Sequence, residues 1–348
     1  MKYLFYISKV YSIPIIQPLA KYLKSQNIEY CFYVSAKVLK NAPQEWDKKL
    51  LLTLLDSAKK FNPDFVLCPG NFVDFRIPGI KVQLFHGLGV EKEAHYKIRH
   101  FFDIYLTSGP FVTKRFESIR KKNPYFLILE TGWPKIDYIL NYNSENIRKN
   151  LDLPSDKKII LYAPTFSTQH ESATSLLDII PRIIQENEFW LFKFHELMDK
   201  EVIKEFERID PEKGRVLQNL EITPYLHASD VMVSDTSSVI YEFMVLDKPI
   251  VTFQTQSRED KGINILNPNE LQAALDRSKK NPDELRQNRL QNLQEINPKL
   301  DGNISKTIFE QLEEIKKDYS FPKKGKPFNL FRKWQIVYHS IFKKGYLR

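Results

Sequence analysis

Short apolar runs alternate with amphipathic, helix-like stretches through most of the chain. "KYLFYIS" reads as a strand, the stretch from Ile15 to Lys24 as a helix and "EYCFYVS" as a second strand. A helical pattern over "EWDKKLLLTLLDSAKKF" then leads to strand-like runs in "DFVLCPG", "KVQLFHGLG" and "FFDIYLTSG", a helix after Pro110, and "YFLILETGWPKIDYIL". Strands this short and apolar, separated by helices, predict a parallel sheet covered on both faces. Around "NYNSENIRKNLDLPSDKK" the pattern turns polar, which marks a boundary.

The alternation restarts with "KIILYAPTF", a helix over Leu176 to Glu186, "FWLFKFHE", a helix over Asp199 to Arg208, "GRVLQ", "DVMVSD", a helix after Ser237, and "KPIVTF". Two doubly wound, Rossmann-like α/β domains are expected, 1–142 and 143–318, with a tail over 319–348. A chain of 348 residues is long enough for both to bury a core. Folds of this kind bind ligands beyond the carboxyl ends of their strands.

Composition narrows the class. Apolar residues at 42% and charged residues at 27% fit a globular chain, and no apolar run reaches the roughly 18 residues of a membrane span. The N-terminal apolar stretch is too interrupted for a signal peptide, so a cytoplasmic location is expected. Cys31 and Cys68 are expected in the core rather than in a disulfide. The formal charge is +9, and no acidic residue follows Tyr319. Lys323, Lys324, Lys326, Arg332, Lys333, Lys343, Lys344 and Arg348 concentrate that charge in the tail, where Phe331, Trp334, Tyr338 and Ile341 recur near helical spacing. Basic amphipathic helices of this type lie on anionic membrane surfaces, although a helix that braces the first domain would read the same way.

Polar groups stand where strands should end. His86 precedes Gly87, Leu88 and Gly89; Pro164 and Thr165 close "LYAPTF"; alternation puts Lys193 and His195 on one face. In "SDTSSVIYEFMVLDKPIV", Asp235 or Thr236 is enough to cap the helix, which leaves Ser237 and Ser238 to donate to a phosphate and Glu242 to accept from ribose hydroxyls. His95 and His100 read as solvated surface, and His170 and His227 carry no role. No Asp-x-Asp pair or histidine cluster suggests a metal, and the Walker A and GxGxxG patterns are absent.

"LFHGLG", "TGWPKID", "LYAPTF", "FKFH", "SDTSSVIYEFMVLDKPIV" and "DGNIS" stand in the order found in the CDP-glycerol glycerophosphotransferase family of teichoic-acid primases and polymerases, which this chain resembles from about Val82 to Lys317. The resemblance implies a GT-B fold, two such domains facing a cleft, and transfer of a polyol phosphate from a CDP-linked donor to a hydroxyl of a lipid-linked glycan, with release of CMP. It implies catalytic roles for His86 on the acceptor and His195 on the donor pyrophosphate. Donor contacts carry over to Phe85, Gly87, Leu88, Gly89, Lys135, Pro164, Thr165, Lys193, Ser237, Ser238 and Glu242. No cofactor beyond the CDP-linked polyol is implied, and the expected partners are the donor, the acceptor and, through Lys323–Arg348, the inner face of the cell membrane, but no nucleic acid.

Departures are specific. Leu88 stands where the family commonly has threonine, Glu196 where it has proline, Lys135 and Lys193 where it has arginine, and Glu242 where it has aspartate. Lysine keeps the charge and loses the bidentate fork. These changes keep open a GT-B nucleotide-sugar enzyme, either a glycosyltransferase or a UDP-GlcNAc 2-epimerase-like protein, and a non-enzymatic protein on the same fold.

Overall fold

A computed structural model describes residues 1–167, 171–218, 221–318 and 325–342. His170 and, in the tail, Lys323, Lys324, Lys343, Lys344 and Arg348 lie outside them.

The chain divides into two units, Met1–Tyr138 with the chain from Ile296 onward, and Ile139–Glu295. In the first, β1 (Lys2–Ile7), β2 (Glu29–Val34), β3 (Leu51–Leu52), β4 (Phe65–Cys68), β5 (Ile80–Gln83), β6 (Ile104–Thr107) and β7 (Leu127–Glu130) form one sheet in the order β3-β2-β1-β4-β5-β6-β7. All its pairings are parallel. Helix α1 spans Ile13–Ser25, α2 Pro110–Lys122 and α3 Lys135–Leu140. Proline opens α2 at a position whose N–H would be unpaired in any case, as the sequence predicts. The expected helix over "EWDKKLLLTLLDSAKKF" is smaller, Leu55–Phe61, because Leu51 and Leu52 pair with Phe32 and Tyr33 as an edge strand.

In the second unit, β8 (Lys158–Tyr162), β9 (Glu188–Phe192), β10 (Gly214–Val216), β11 (Val231–Ser234), β12 (Ile250–Phe253) and β13 (Ile263–Ile265) form a parallel sheet in the order β10-β9-β8-β11-β12-β13. From β8 successive strands are added on one side, to β10, and from β11 on the other, to β13, so the strand order reverses between β8 and β11, the switch point at which such sheets hold ligands. Helix α4 spans Val239–Met244 and α5 Arg286–Ile296. The single helix expected over Leu176 to Glu186 is two short turns, Ala173–Leu176 and Ile180–Ile183.

Helices α6 (Ile304–Asp318) and α7 (Leu330–Phe342) follow. The sequence assigned residues up to 318 to the second domain, whereas the chain returns to the first at Ile296. The reason is chemical. The Asp137 carboxylate accepts from the backbone N–H groups of Ile304 and Ser305, at 2.9 and 2.7 Å, and from the Ser305 hydroxyl at 2.7 Å. Phe309 packs edge-on against Tyr3 and face-to-face with Tyr22. Both free cysteines are buried in this unit.

Candidate active site

The order β9-β8-β11 makes the loops leaving those three strands neighbours, and these loops carry most of the candidate residues of the second unit. Asp235, one residue past β11 and 1% exposed, organises them. Its Oδ1 accepts from the N–H of Thr165 at 2.8 Å and of Thr236 at 2.6 Å; its Oδ2 accepts from the N–H and hydroxyl of Ser172, both at 2.9 Å. The Tyr162 hydroxyl lies 2.8 Å from the Ser172 hydroxyl, and Ser234 donates to the Ala163 carbonyl at 2.6 Å. Burial pushes the Asp235 carboxyl up from the usual carboxylate range, while the hydrogen bonds it accepts pull it back.

This corrects the expected capping. Asp235 is engaged with the loop after β8, and Ser238 occupies the N-cap of α4 with helical backbone and no side-chain cap bond. Ser237 and Ser238 are half-buried in the turn between β11 and α4. With only six residues, α4 supplies little macrodipole, so backbone N–H groups and hydroxyls are what the turn offers an anion. Glu242 lies in the first turn of α4 and is buried, as are Pro164 and Thr165.

Lys193 and His195 lie beyond β9, which ends at Phe192, so strand alternation does not align them. Lys193 is half-buried and donates through Nζ to the Phe194 carbonyl at 3.1 Å. His195 is exposed; its Nδ1 accepts from the Leu197 N–H at 3.1 Å, which leaves the proton of a neutral ring on Nε2. Its ring stacks on Phe166 with centroids 4.2 Å apart. Phe166, Ser172 and the bridging use of Asp235 are what sequence reasoning missed. Lys248, in "LDKP", donates to the carbonyls of Leu226, His227 and Ser229 at 3.0, 2.6 and 2.7 Å, and burial lowers it to about 8.

In the first unit, His86 is exposed on the loop after β5, its ring 5.8 Å from that of Tyr11. Phe85, immediately before His86, has φ 59°, in the left-handed region. Gly89 has no left-handed φ, and a Cβ there would meet His95 Nδ1 at an ordinary 3.8 Å. Phe85 and Leu88 are core residues, so only their backbone can face a ligand. Lys135 is buried at the start of α3.

His95 and His100 are not plain solvated residues. His95 stacks on Phe85, centroids 4.5 Å apart, and burial together with the charges of His86 and Arg115 lowers it to about 3. His100 Nδ1 lies 2.6 Å from the Tyr125 hydroxyl. His227 Nε2 lies 2.9 Å from the Ile139 carbonyl oxygen. Among the described residues, no group of three or more His, Cys, Asp or Glu gathers around a metal-sized site.

The described part of the tail contacts the first unit through Lys326, Asn329 and Lys333, whose Nζ lies 5.2 Å from the centre of the Phe75 ring, while the aromatic side chains of α7 stay exposed. Lys326 forms an ion pair with Asp103 at 2.8 Å and Asn329 donates to the Arg99 carbonyl at 2.8 Å. Phe331, Trp334, Tyr338 and Phe342 are all exposed; along α7 the Trp334 ring stacks on Tyr338, and Tyr338 meets Phe342 at a tilt. No helix among the described residues is long and apolar enough to cross a membrane.

The model of the family described as CDP-glycerol:poly(glycerophosphate) glycerophosphotransferase matches residues 86–314. The teichoic acid glycerol-phosphate primase of Bacillus spizizenii strain W23 is 34% identical over 133 residues, which are 36% of this chain and 33% of the primase. The match thus spans a third of that relative's length. The wall teichoic acid polymerase TagF superposes with a TM-score of 0.66 at 18% identity, over 92% of this chain and 90% of that chain. The UDP-GlcNAc 2-epimerase of Neisseria meningitidis, bound to UDP-GlcNAc, gives 0.63 at 16%, over 90% and 100%. At such identities the two structures show the fold alone, which is GT-B-like.

Proposed function

Because this chain belongs to the CDP-glycerol:poly(glycerophosphate) glycerophosphotransferase family, we propose that it moves a polyol phosphate, glycerol phosphate or a close relative, from a CDP-linked donor to a hydroxyl of a membrane-associated, teichoic-acid-like glycan and releases CMP. The observation that carries this reading is the gathering of Thr165, Lys193, His195, Ser237 and Ser238 on the loops of three adjacent strands, at the switch point of a doubly wound sheet.

Phosphoryl transfer needs a positioned nucleophile, a base for its proton and positive or hydrogen-bonding groups around the pyrophosphate. The acceptor oxygen attacks the phosphorus that bears the polyol, the bond from that phosphorus to the bridging oxygen breaks, and CMP leaves with the electron pair. His86 takes the acceptor proton. Lys193, Lys135 and the His195 Nε2–H meet the developing charge, with Ser237, Ser238 and the backbone of their turn as further donors. Thr165 and Pro164 shape the donor site, and Glu242 accepts from the ribose. The backbone of Phe85, Gly87, Leu88 and Gly89 lines the approach to His86.

The exposed aromatic stripe of α7, in a tail without acidic residues, suits the anionic inner face of the membrane, where a lipid-linked acceptor would be presented.

Calorimetric titration with CDP-glycerol, CDP-ribitol, CMP and UDP-GlcNAc tests the donor. A CDP-polyol should bind the wild type and bind at least tenfold more weakly to the Ser237→Ala, Ser238→Ala double variant, about 1.4 kcal/mol. Binding of UDP-GlcNAc alone would overturn the reading in favour of a nucleotide-sugar enzyme.

A further inference from the structure

We propose that Trp133 and Asn297 are positioning residues for His86: Asn297 fixes the backbone of Trp133, and the Trp133 indole holds the peptide group that joins Phe85 to His86. The proposal rests on the reading of His86 as the base.

Phe85 is an aromatic residue in the left-handed region, at φ 59°, immediately before that base. A bulky side chain leaves this conformation unless its surroundings over-determine it. Two kinds of contact do so here. The ring is buried, stacked on His95 and edge-on to Phe116 with centroids 5.4 Å apart. The carbonyl accepts from the Trp133 indole N–H at 3.2 Å. That carbonyl belongs to the same peptide plane as the His86 nitrogen, so any rotation of it swings the His86 Cα and with it the imidazole.

Trp133 is itself immobilised. It is 2% exposed and follows Gly132, whose φ is 85° and whose position would put a Cβ 2.9 Å from the Ile304 side chain. Its backbone N–H donates to Asn297 Oδ1 at 2.8 Å. Asn297 is fully buried and donates in turn to the Lys299 carbonyl at 2.8 Å. A buried indole N–H needs some acceptor. What gives this one consequence is that its acceptor is the carbonyl one bond before His86. The segment that returns to the first unit at Ile296 therefore begins with a brace for the His86 loop, a use of "TGWPKID" separate from the donor contact assigned to Lys135.

Trp133→Phe tests this, because it keeps a ring in the pocket and deletes the N–H. With CDP-glycerol and an acceptor, kcat should fall about 10- to 100-fold while KM for the donor stays within about twofold, the pattern of a misaimed base rather than a weakened donor site. In 15N- and 13C-histidine-labelled full chain, the His86 ring resonances, assigned with His86→Gln, should move. A folded Trp133→Phe variant with wild-type kcat and unmoved His86 resonances would overturn the proposal, as would a loss of kcat matched by an equal rise in KM. The resonance measurement needs no turnover. If the wild type used no CDP-polyol, the functional reading would fail, while moved or unmoved resonances would still support or overturn the brace. Should Trp133→Phe fail to fold, Asn297→Ser carries the same pair of outcomes with an effect of about threefold on kcat.

Discussion

Replacing Asp235 by alanine should cost the second unit about 3 kcal/mol, and the figure follows from which donors lose their acceptor. The carboxylate accepts four hydrogen bonds. The Ser172 hydroxyl retains Tyr162 as a partner, and Thr236 is half-buried, so water can satisfy its N–H. The backbone N–H groups of Thr165 and Ser172 are left buried and unpaired, each costing about 2 kcal/mol. Relief of the carboxylate's own burial, which raises its pKa, returns about 1 kcal/mol of this. Asp235→Asn should fall between wild type and alanine, because one oxygen still serves Thr165 and Thr236 while an NH2 group now faces the Ser172 N–H. Urea denaturation followed by the fluorescence of buried Trp190, alongside amide exchange at Thr165 and Ser172, measures both the global and the local loss. An Asp235→Ala variant that lost less than about 1 kcal/mol and kept those two amides protected would refute the view that this carboxylate staples the loops together.

Two further outcomes are expected. His95 is lowered to about 3 in the folded chain against about 6.5 unfolded, so between those values the unfolded state binds the extra proton and stability falls as pH falls through that window, by up to about 1.4 kcal/mol per pH unit; denaturation midpoints at pH 7, 5 and 4 should show this slope, and His95→Gln should flatten it. The tail should sediment with vesicles of anionic phosphatidylglycerol and not with phosphatidylcholine, and Phe331→Asp with Trp334→Ala should abolish this without changing the melting temperature; equal sedimentation of the variant would show that the exposed stripe is not the contact.

Much of the architecture was legible because parallel strands are short, apolar and separated by helices, and runs such as "KIILY" and "DVMVSD" obey that pattern. Where the structure differs, local pattern was not the deciding factor. Leu51 and Leu52 pair with β2 in a strand too short to have a period, and Pro181 sits where the helix predicted over Leu176 to Glu186 is broken into two turns. The polar helix Ile304–Asp318 does not announce which sheet it covers; Asp137, over a hundred residues earlier, decides that. Asp235 has the composition of a cap and the geometry of a bridge, and only the adjacency of β8 and β11 distinguishes them. Nothing in the sequence marks the left-handed backbone of Phe85, because buried aromatic packing and one indole hydrogen bond from a distant loop sustain it. The candidate residues themselves were found from their strand-end placement and the family resemblance, because polar groups at the ends of apolar strands stand out in sequence.

In the proposed reaction a polyol phosphate is transferred, CMP is released and His86 is the base. This assignment is tested most directly by following CMP from CDP-glycerol and CDP-ribitol with a teichoic-acid-like acceptor, in wild type and His86→Asn. CMP release should be matched by phosphate gained on the acceptor and should slow at least about 100-fold in the variant, with donor binding retained. Release that is equally fast in His86→Asn, or turnover of UDP-GlcNAc in place of either CDP-polyol, would contradict the assignment.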